Sequence, residues 1–191
     1  LAQDERIARI AALARQPLEP GGKVRTHTID VTDEASIEAA AARLDDGPLD
    51  LVLVTTGILH DDAGLRPEKT WRQLDAAALA RSYAVNAIGP ALVAKHLLPK
   101  LRRDHKAVFA ALSARVGSIE DNRIGGWYAY RASKAALNQL LRTLAIELAR
   151  RWPEAVCVGL HPGTTDTALS APFQANVPEG KLFTSAFVAE R

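Results

Sequence analysis

Three short runs of almost continuously apolar residues constrain the fold of this chain more than any other feature. They are Leu51–Val54, Ala107–Leu112 and Ala155–Leu160. Strands that are apolar at every position are typical of sheets covered on both faces. A strand with one solvent-exposed face instead alternates apolar and polar residues. Longer segments of helical composition separate the runs. Strands that alternate with such helices indicate β-α-β crossovers, and therefore a parallel sheet with helices packed against it.

The remaining periodicity completes this α/β pattern. Residues 23–31 alternate more strongly and predict a further strand. Helices are predicted over residues 1–15, 33–44, 75–101 and 128–151, the second with Thr32 or Asp33 as its N-cap. No repeat or linker divides the sequence. We therefore predict one domain over residues 1–191, a doubly wound parallel sheet of Rossmann-like form in three α/β/α layers.

Composition and charge exclude several classes of partner. Hydrophobic residues make up 48% of the chain and charged residues 24%, with a formal net charge of +2. The charges are interspersed, so neither a nucleic-acid-binding nor a membrane-binding face is predicted. The single cysteine, Cys157, precludes an intrachain disulfide, and the five histidines are scattered, so no metal site is predicted. We expect a cytoplasmic protein.

Tyr130 and Lys134 have the spacing of a catalytic pair. Positions i and i+4 lie on the same face of a helix, so the phenol and the ammonium are expected to point the same way. A free phenol titrates at about pH 10. A nearby ammonium favours the phenolate and lowers that pKa, which would suit Tyr130 to general acid–base catalysis. An isolated Tyr-x-x-x-Lys spacing is more often an exposed helical pair, so the context must decide.

Asn86 occupies a position where a long helix is predicted to open. Pro90 follows four residues later and has no N–H to donate to the Asn86 carbonyl. A carbonyl left free inside a helix is expected to hold a water molecule. A simple proline kink, with Asn86 incidental, is the alternative interpretation.

The residues around Tyr130 resemble the active-site helix of short-chain dehydrogenases/reductases. Residues 125–138 read Gly-Gly-Trp-Tyr-Ala-Tyr-Arg-Ala-Ser-Lys-Ala-Ala-Leu-Asn, and residues 113–119, Ser-Ala-Arg-Val-Gly-Ser-Ile, are similar to the C-factor-like branch of that family. Further marks follow in the family's order: Asp30-Val31, Thr55-Thr56-Gly57, Asn86 and Pro162-Gly163-Thr164-Thr165-Asp166-Thr167. The resemblance covers essentially the whole chain.

The resemblance implies an oxidoreductase that transfers a hydride between NAD or NADP, which it does not distinguish, and a small-molecule carbonyl compound or secondary alcohol. Tyr130 would be the general acid/base, Lys134 would lower its pKa and bind the nicotinamide ribose, and Asn86 would hold the relay water. The implied catalytic residues are Tyr130, Lys134, Ser113 and Asn86. The implied cofactor-binding residues are Asp30, Val31, Gly57, Tyr130, Lys134, Pro162, Gly163, Thr165 and Thr167.

The serine that should orient the substrate departs from the family pattern. Aligned on Gly117, the second and catalytic serine of Ser-Ser-x-x-Gly falls on Ala114. Neighbouring side chains of a strand face opposite ways, so a shift by one residue matters. Ser113 is favoured if the strand ends there and the backbone turns. Ser118, closer in spacing to Tyr130, is the alternative.

The family's glycine-rich phosphate turn does not occur in the sequence. We therefore expect the first βαβ portion to be missing, both ends to be truncated and dinucleotide binding to be weak. Residues 58–60 and 168–181 are expected to line the substrate pocket. The Ala- and Leu-rich helices 75–101 and 128–151 predict a homodimer or homotetramer. A non-enzymatic signalling or interaction protein on the same scaffold is the alternative function.

Overall fold

Parallel strands form the centre of the molecule in the computed structural model, which describes residues 2–44 and 47–190. Strand β1 (Ile10–Ala14) pairs with β2 (Val24–Thr28), and a second sheet has the order β3 (Leu51–Val54), β4 (Ala107–Leu112), β5 (Ala155–Leu160). Two short strands, β6 (Thr164–Thr165) and β7 (Leu182–Phe183), pair in parallel beside them. The three apolar runs are thus strands with the predicted bounds, and the α/β architecture is confirmed.

The helices follow the predicted order. They are α1 (Glu34–Ala42), α2 (Ala76–Tyr83), α3 (Gly89–Leu97), α4 (Tyr128–Arg151) and α5 (Ser185–Glu190). Asp33 is the N-cap of α1, its carboxylate accepting the Ala35 N–H at 3.0 Å. Helix α4 has the predicted bounds. The predicted helix 75–101 is instead two α-helices joined by a π-helical segment (Ala84–Ile88) and followed by a 3₁₀ turn (Leu98–Lys100).

The helix predicted over residues 1–15 is wrong. Leu1 lies outside the described residues, and Ile10–Ala14 forms β1, in register with β2 from Ile10 opposite Val24 to Ala14 opposite Thr28. The Ala-rich sequence favours a helix, but pairing with a neighbouring strand overrides so weak a preference. Gly21 and Gly22 therefore lie between two strands.

One hydrophobic core lies between the sheet and helices α1, α3 and α4. Val52 and Val54 of β3, Phe109 of β4 and Cys157 of β5 point into it, alongside Ile37, Val93 and Leu137 of the helices. The residues that face the opposite way are covered less completely by the described part of the chain. Leu51 and Leu53 are 44% and 40% exposed, so burial alternates along β3. No helix among the described residues is long and apolar enough to span a membrane.

Candidate active site

The candidate site lies where β3, β4 and β5 end and α4 begins. The carboxyl ends of parallel strands lie at one edge of a sheet, and the loops that follow them form the ligand crevice of such folds. Gly57 follows β3, Ser113 follows β4 and Pro162 follows β5. Helix α4 reaches this edge because its Lys134 Nζ donates a hydrogen bond to the Leu112 carbonyl, at the end of β4, at 2.8 Å.

Tyr130 and Lys134 lie together, as predicted, in the first two turns of α4. The Lys134 Nζ lies 5.9 Å from the centre of the Tyr130 ring. Lys134 is only 3% exposed, and this burial lowers its pKa to about 8. Burial also raises the pKa of Tyr130 to about 12. The pKa of the phenol therefore moves opposite to the expected direction, because desolvation outweighs an ammonium placed over the ring.

Asn86 is fully buried at the centre of the π-helical segment that leads into α3. A π-helical turn widens the hydrogen-bond ladder, and Pro90 has no N–H to donate there. The predicted opening of the helix at Asn86 is confirmed. Its side chain joins the loop after β3: Nδ2 donates to the Ile58 carbonyl at 2.9 Å and Oδ1 accepts the Ile58 N–H at 2.8 Å.

A buried hydroxyl network connects Asn86 to α4. Asn86 Nδ2 also lies 3.1 Å from the hydroxyls of Ser82 and Ser133, which lie 3.1 Å from each other. Ser133 immediately precedes Lys134 and is fully buried. The loop after β3, the opened helix and the helix that carries Tyr130 are therefore held together by polar contacts with little exposure to water.

Neither candidate serine bonds Tyr130 in the described residues. The Ser113 hydroxyl donates to Asn138 Oδ1 at 2.5 Å. Asn138 lies two helical turns beyond Tyr130, roughly 12 Å along the axis of α4. The Ser118 hydroxyl accepts the Asp121 N–H at 3.3 Å, within its own turn. The choice between Ser113 and Ser118 thus stays open.

The implied cofactor-binding residues Asp30 and Val31 lie in the turn between β2 and α1. The Asp30 carboxylate accepts the Thr32 N–H at 2.9 Å and the Thr32 hydroxyl at 2.7 Å, and these bonds hold the pKa of Asp30 below its usual value. The side chain of Val31 is buried, and a Cβ on Gly89 would lie 2.7 Å from the Val31 carbonyl. This turn is therefore packed tightly against α3, leaving only the backbone of Val31 to reach a ligand.

Two hydroxyls at this edge of the sheet are buried without a partner among the described residues: Thr56 Oγ1, beside Gly57, and Thr165 Oγ1, in β6. Gly57 has exposed backbone at the centre of the site, since a Cβ on it would lie 3.6 Å from Asn86 Oδ1 and 3.7 Å from Lys134 Nζ. Unpaired buried hydroxyls are costly and call for an explanation such as a ligand. Thr56 is not among the cofactor-binding residues that the resemblance implies.

The segment after β5 is shaped by Gly163. This residue has a φ of +80°, and a Cβ on it would lie 2.6 Å from the Phe183 ring. Glycine is therefore required where the chain turns from Pro162 into β6. The Ser170 hydroxyl donates to the Thr165 carbonyl, and the Thr167 hydroxyl does so at a longer 3.5 Å. The predicted cofactor segment 162–167 thus lies at the strand ends as one ordered turn.

An aromatic wall borders Tyr130. Trp127 packs edge-to-face against both Tyr130 and Phe173, with ring centres 6.2 Å and 5.0 Å apart, and His60 packs against Phe173 at 5.8 Å. The His60 Nε2 also lies 3.1 Å from the Ala168 carbonyl. The two segments expected to line the pocket, residues 58–60 and 168–181, therefore meet beside Tyr130. Trp127 joins them, and sequence reasoning did not identify it.

The described residues contain no group of three or more His, Cys, Asp or Glu side chains that could hold a metal ion. The chemistry available at the site is that of a phenol, an ammonium and hydroxyls beside an exposed glycine backbone. Such a set can position an oxygen and exchange a proton with it.

Comparisons with known proteins agree with this fold. A family model described as short chain dehydrogenase matches residues 1–178. The chain is 37% identical over 140 residues to C-signal of Myxococcus xanthus, which covers 71% of this chain and 77% of that protein. It is 33% identical over 165 residues to 1-hydroxy-2-glutathionyl-2-methyl-3-butene dehydrogenase of a Rhodococcus species, which covers 85% of this chain and 65% of that enzyme.

Solved structures show the same likeness. An NADPH-bound carbonyl reductase from chicken fatty liver superposes with a TM-score of 0.77 at 26% identity, over 96% of this chain and 77% of that one. Carbonyl reductase Sniffer of D. melanogaster superposes with a TM-score of 0.67 at 25% identity, over 76% of this chain and 62% of that one. The chain thus spans about three fifths to three quarters of these relatives.

Proposed function

Because the chain belongs to the short-chain dehydrogenase family, we propose that it is an NAD(P)-dependent oxidoreductase in which Tyr130 exchanges a proton with the oxygen of a small carbonyl compound or alcohol. The observation that carries this proposal is the placement of Tyr130 and the buried Lys134 at the carboxyl ends of β3, β4 and β5. Members of the family use NAD or NADP, and the chicken carbonyl reductase holds NADPH.

The residues of the site fit a dinucleotide. Thr56 and Thr165 each have a buried hydroxyl without a partner among the described residues, and Gly57 leaves room for close approach. In the part of the chain that the structure describes, Lys134 Nζ makes one hydrogen bond, to the Leu112 carbonyl, and its other two protons can bind a ribose hydroxyl or water. When bound, the cofactor supplies the hydride. The residues that would hold it are Asp30, Val31, Gly57, Lys134, Pro162, Gly163, Thr165 and Thr167.

The protonation of Tyr130 favours reduction of a carbonyl. With a pKa of about 12, the phenol carries its proton at neutral pH and can donate it to a carbonyl oxygen. The phenolate so formed is stabilised by the Lys134 ammonium, which is largely protonated below its pKa of about 8. The Asn86 carbonyl, without an N–H from Pro90, would hold the water that returns a proton through Lys134.

The substrate oxygen would be held by Tyr130 and one serine. Ser113 is the favoured candidate and must exchange its bond to Asn138 for one to the substrate. Ser118 must swing out of its own turn. Separate Ser113→Ala and Ser118→Ala kinetics distinguish the two, since the orienting serine should be the one whose loss lowers kcat.

A Tyr130→Phe substitution tests the reaction. Loss of a general acid–base group lowers turnover by about 10²–10⁴-fold. We therefore expect the full-length protein to oxidise NADPH or NADH with some member of a ketone and aldehyde panel, and the Tyr130→Phe variant to lose that activity. Tyr128→Phe, two residues earlier in α4, is the matched control and should keep it. A Tyr130→Phe variant as active as the wild type would exclude Tyr130 as the proton donor.

A signalling or interaction protein is the second candidate function, favoured by the 37% identity to C-signal. Cofactor-induced thermal stabilisation discriminates the two, because a ligand that binds only the folded state raises its stability. Stabilisation by NADPH or NADH together with turnover supports the enzyme. The absence of both thermal stabilisation and turnover would support a non-enzymatic scaffold.

A second copy of the chain is the partner we propose for the outer face of the long helices. Ile88 in the π-helical segment and Leu140 and Ile146 of α4 are exposed apolar side chains. Exposed apolar surface of this kind marks interaction sites, and symmetric homodimers are the commonest assembly. Sedimentation of the full-length protein as a monomer would contradict this.

A further inference from the structure

The start of α4 has no capping side chain of its own. The first N–H groups of a helix have no partner within it, and Ser, Thr, Asp or Asn usually supplies one. The N-cap of α4 is Trp127, whose side chain makes no capping hydrogen bond. Tyr130 is the third residue of the helix, so its position depends on how this first turn is held.

Glu68, from the loop between β3 and α2, caps the helix instead. Its Oε2 accepts the Ala129 N–H at 3.2 Å, across 61 residues of sequence, and its backbone carbonyl accepts the Trp127 N–H at 2.5 Å. Glu68 is only 4% exposed. A negative charge at a helix N-terminus is favourable. One buried residue thus binds the first turn of α4 through both its side chain and its backbone.

The chain is strained to reach this residue. Gly125, Gly126 and Trp127 have consecutive φ values of +71°, +65° and +51°, and Trp127 is the non-glycine residue with positive φ in the described chain. A Cβ on Gly126 would lie 3.2 Å from the Glu68 carbonyl. Such a conformation in a large residue costs about 1–3 kcal/mol and persists only where the surroundings enforce it. We call Glu68, Gly126, Trp127 and Ala129 the capping clasp.

The capping clasp ends at the catalytic ring. The Trp127 backbone N–H donates to the Glu68 carbonyl, and the Trp127 indole packs edge-to-face on Tyr130. The other carboxylate oxygen, Glu68 Oε1, is buried without a partner among the described residues. A half-bonded buried carboxylate is an expensive way to stabilise a fold. A serine or aspartate at position 127 would cap the helix without that cost.

From this geometry we infer that Glu68 is a positioning residue for Tyr130: it fixes the first turn of α4 and, through Trp127, the direction of the phenol. The inference rests on the proposed function, in which Tyr130 donates the proton. With a displaced phenol the protein would still bind substrate and cofactor, but the phenol would be poorly aligned for proton transfer. We therefore expect kcat to fall and KM to stay the same.

Glu68→Ala and Glu68→Gln in the full-length protein test this role. Glu68→Ala removes the side-chain acceptor of the Ala129 N–H and keeps the backbone carbonyl that binds Trp127. We expect kcat to fall by about 10–100-fold, the cost of a misplacement of order 1 Å, with KM for the cofactor within about twofold. Glu68→Gln keeps an oxygen that can accept the Ala129 N–H. We expect it to restore kcat to within about threefold of wild type.

Asp75→Ala is the matched control. The Asp75 carboxylate caps α2 by accepting the Ala78 N–H at 2.8 Å, so its loss removes the same kind of bond from a helix without Tyr130. The melting temperature should fall while kcat stays as in the wild type. A kcat loss in Asp75→Ala equal to that in Glu68→Ala would overturn the inference, as would a Glu68→Ala enzyme with unchanged kcat.

Hydrogen exchange separates this inference from the proposed function. If the wild-type protein turns over no carbonyl compound, the proposed function fails while positioning is still measurable. Faster exchange of the amides of residues 127–131 in Glu68→Ala, and not in Asp75→Ala, supports the capping clasp. Equal exchange in the wild type and Glu68→Ala would refute it.

Discussion

Helices α1 and α2 differ from α4 in how they begin. Asp33 and Asp75 cap α1 and α2 from the adjacent position in the sequence, through bonds of 3.0 Å and 2.8 Å. Helix α4 begins at a strained tryptophan and borrows its cap from Glu68. These two helices carry none of the proposed catalytic residues, and each is capped by the residue that precedes it. The helix that carries Tyr130 breaks the local rules, which is expected of functional sites.

The two glycines before Trp127 allow a test of whether the strained start of α4 positions Tyr130. Gly125 and Gly126 both have positive φ, which costs an alanine about 1–2 kcal/mol. A Cβ on Gly125 meets nothing within 4 Å, whereas one on Gly126 meets the Glu68 carbonyl. We expect Gly126→Ala to lower the free energy of unfolding by about 2 kcal/mol or more and to lower kcat, because the capping clasp must open.

Gly125→Ala is the control for backbone strain alone. It should be the less destabilising substitution in a denaturant titration and should leave kcat unchanged. Equal effects of the two substitutions on stability and kcat would show that contact with Glu68 does not position Tyr130.

This comparison also explains which parts of the molecule the sequence predicts. Asp33 and the strands Leu51–Val54, Ala107–Leu112 and Ala155–Leu160 follow from neighbouring residues, through capping chemistry and continuous apolar character. Strand β1 does not, because its Ala-rich sequence becomes a strand only beside β2. Glu68 lies far from α4 in sequence, and no spacing signals their contact. Gly125-Gly126 was the available clue to a left-handed turn.

The sequence predicts that Tyr130 and Lys134 lie together, but it does not predict the electrostatics of the pair. The Tyr130–Lys134 spacing predicts a shared helix face, which the structure has. The direction of the Tyr130 pKa was predicted wrongly, because burial of the phenol is a property of the packed molecule and not of the spacing.

Lys134 makes the difference between α4 and the helices α1 and α2 measurable through pH. Burying its ammonium lowers the free energy of unfolding, a cost that α1 and α2 do not have. Its pKa of about 8 in the folded protein lies below the usual lysine value of 10.5. Below pH 8 the group is charged in both states and the full penalty applies. As pH rises from 8 toward 10.5, the unfolded state binds more protons, so stability should rise by up to about 1.4 kcal/mol per pH unit.

Lys134→Met should therefore be more stable than the wild type at pH 7, and this advantage should shrink between pH 8 and pH 10. Above pH 10 the raised pKa of Tyr130 acts the other way, because the unfolded phenol then loses its proton first. Chemical denaturation of both proteins from pH 7 to pH 10 measures the difference. A constant difference across that range would mean that Lys134 is not desolvated in the folded protein.

The opening of the helix at Asn86 differs from the start of α4, because it is encoded locally by Pro90. The missing N–H of Pro90 and the π-helical segment around Asn86 open the helix four residues earlier. Pro90→Ala supplies that N–H and lets the Asn86 carbonyl bond within the helix. We expect kcat to fall by about threefold to tenfold, less than the loss of the acid–base group itself costs, with little change in cofactor affinity because the substitution alters the hydrogen bonding of the Asn86 carbonyl, which is not proposed to bind the cofactor. A Pro90→Ala enzyme with wild-type kcat would show that the opening at Asn86 serves packing alone. Asn86 would then have a structural role and no role in proton transfer.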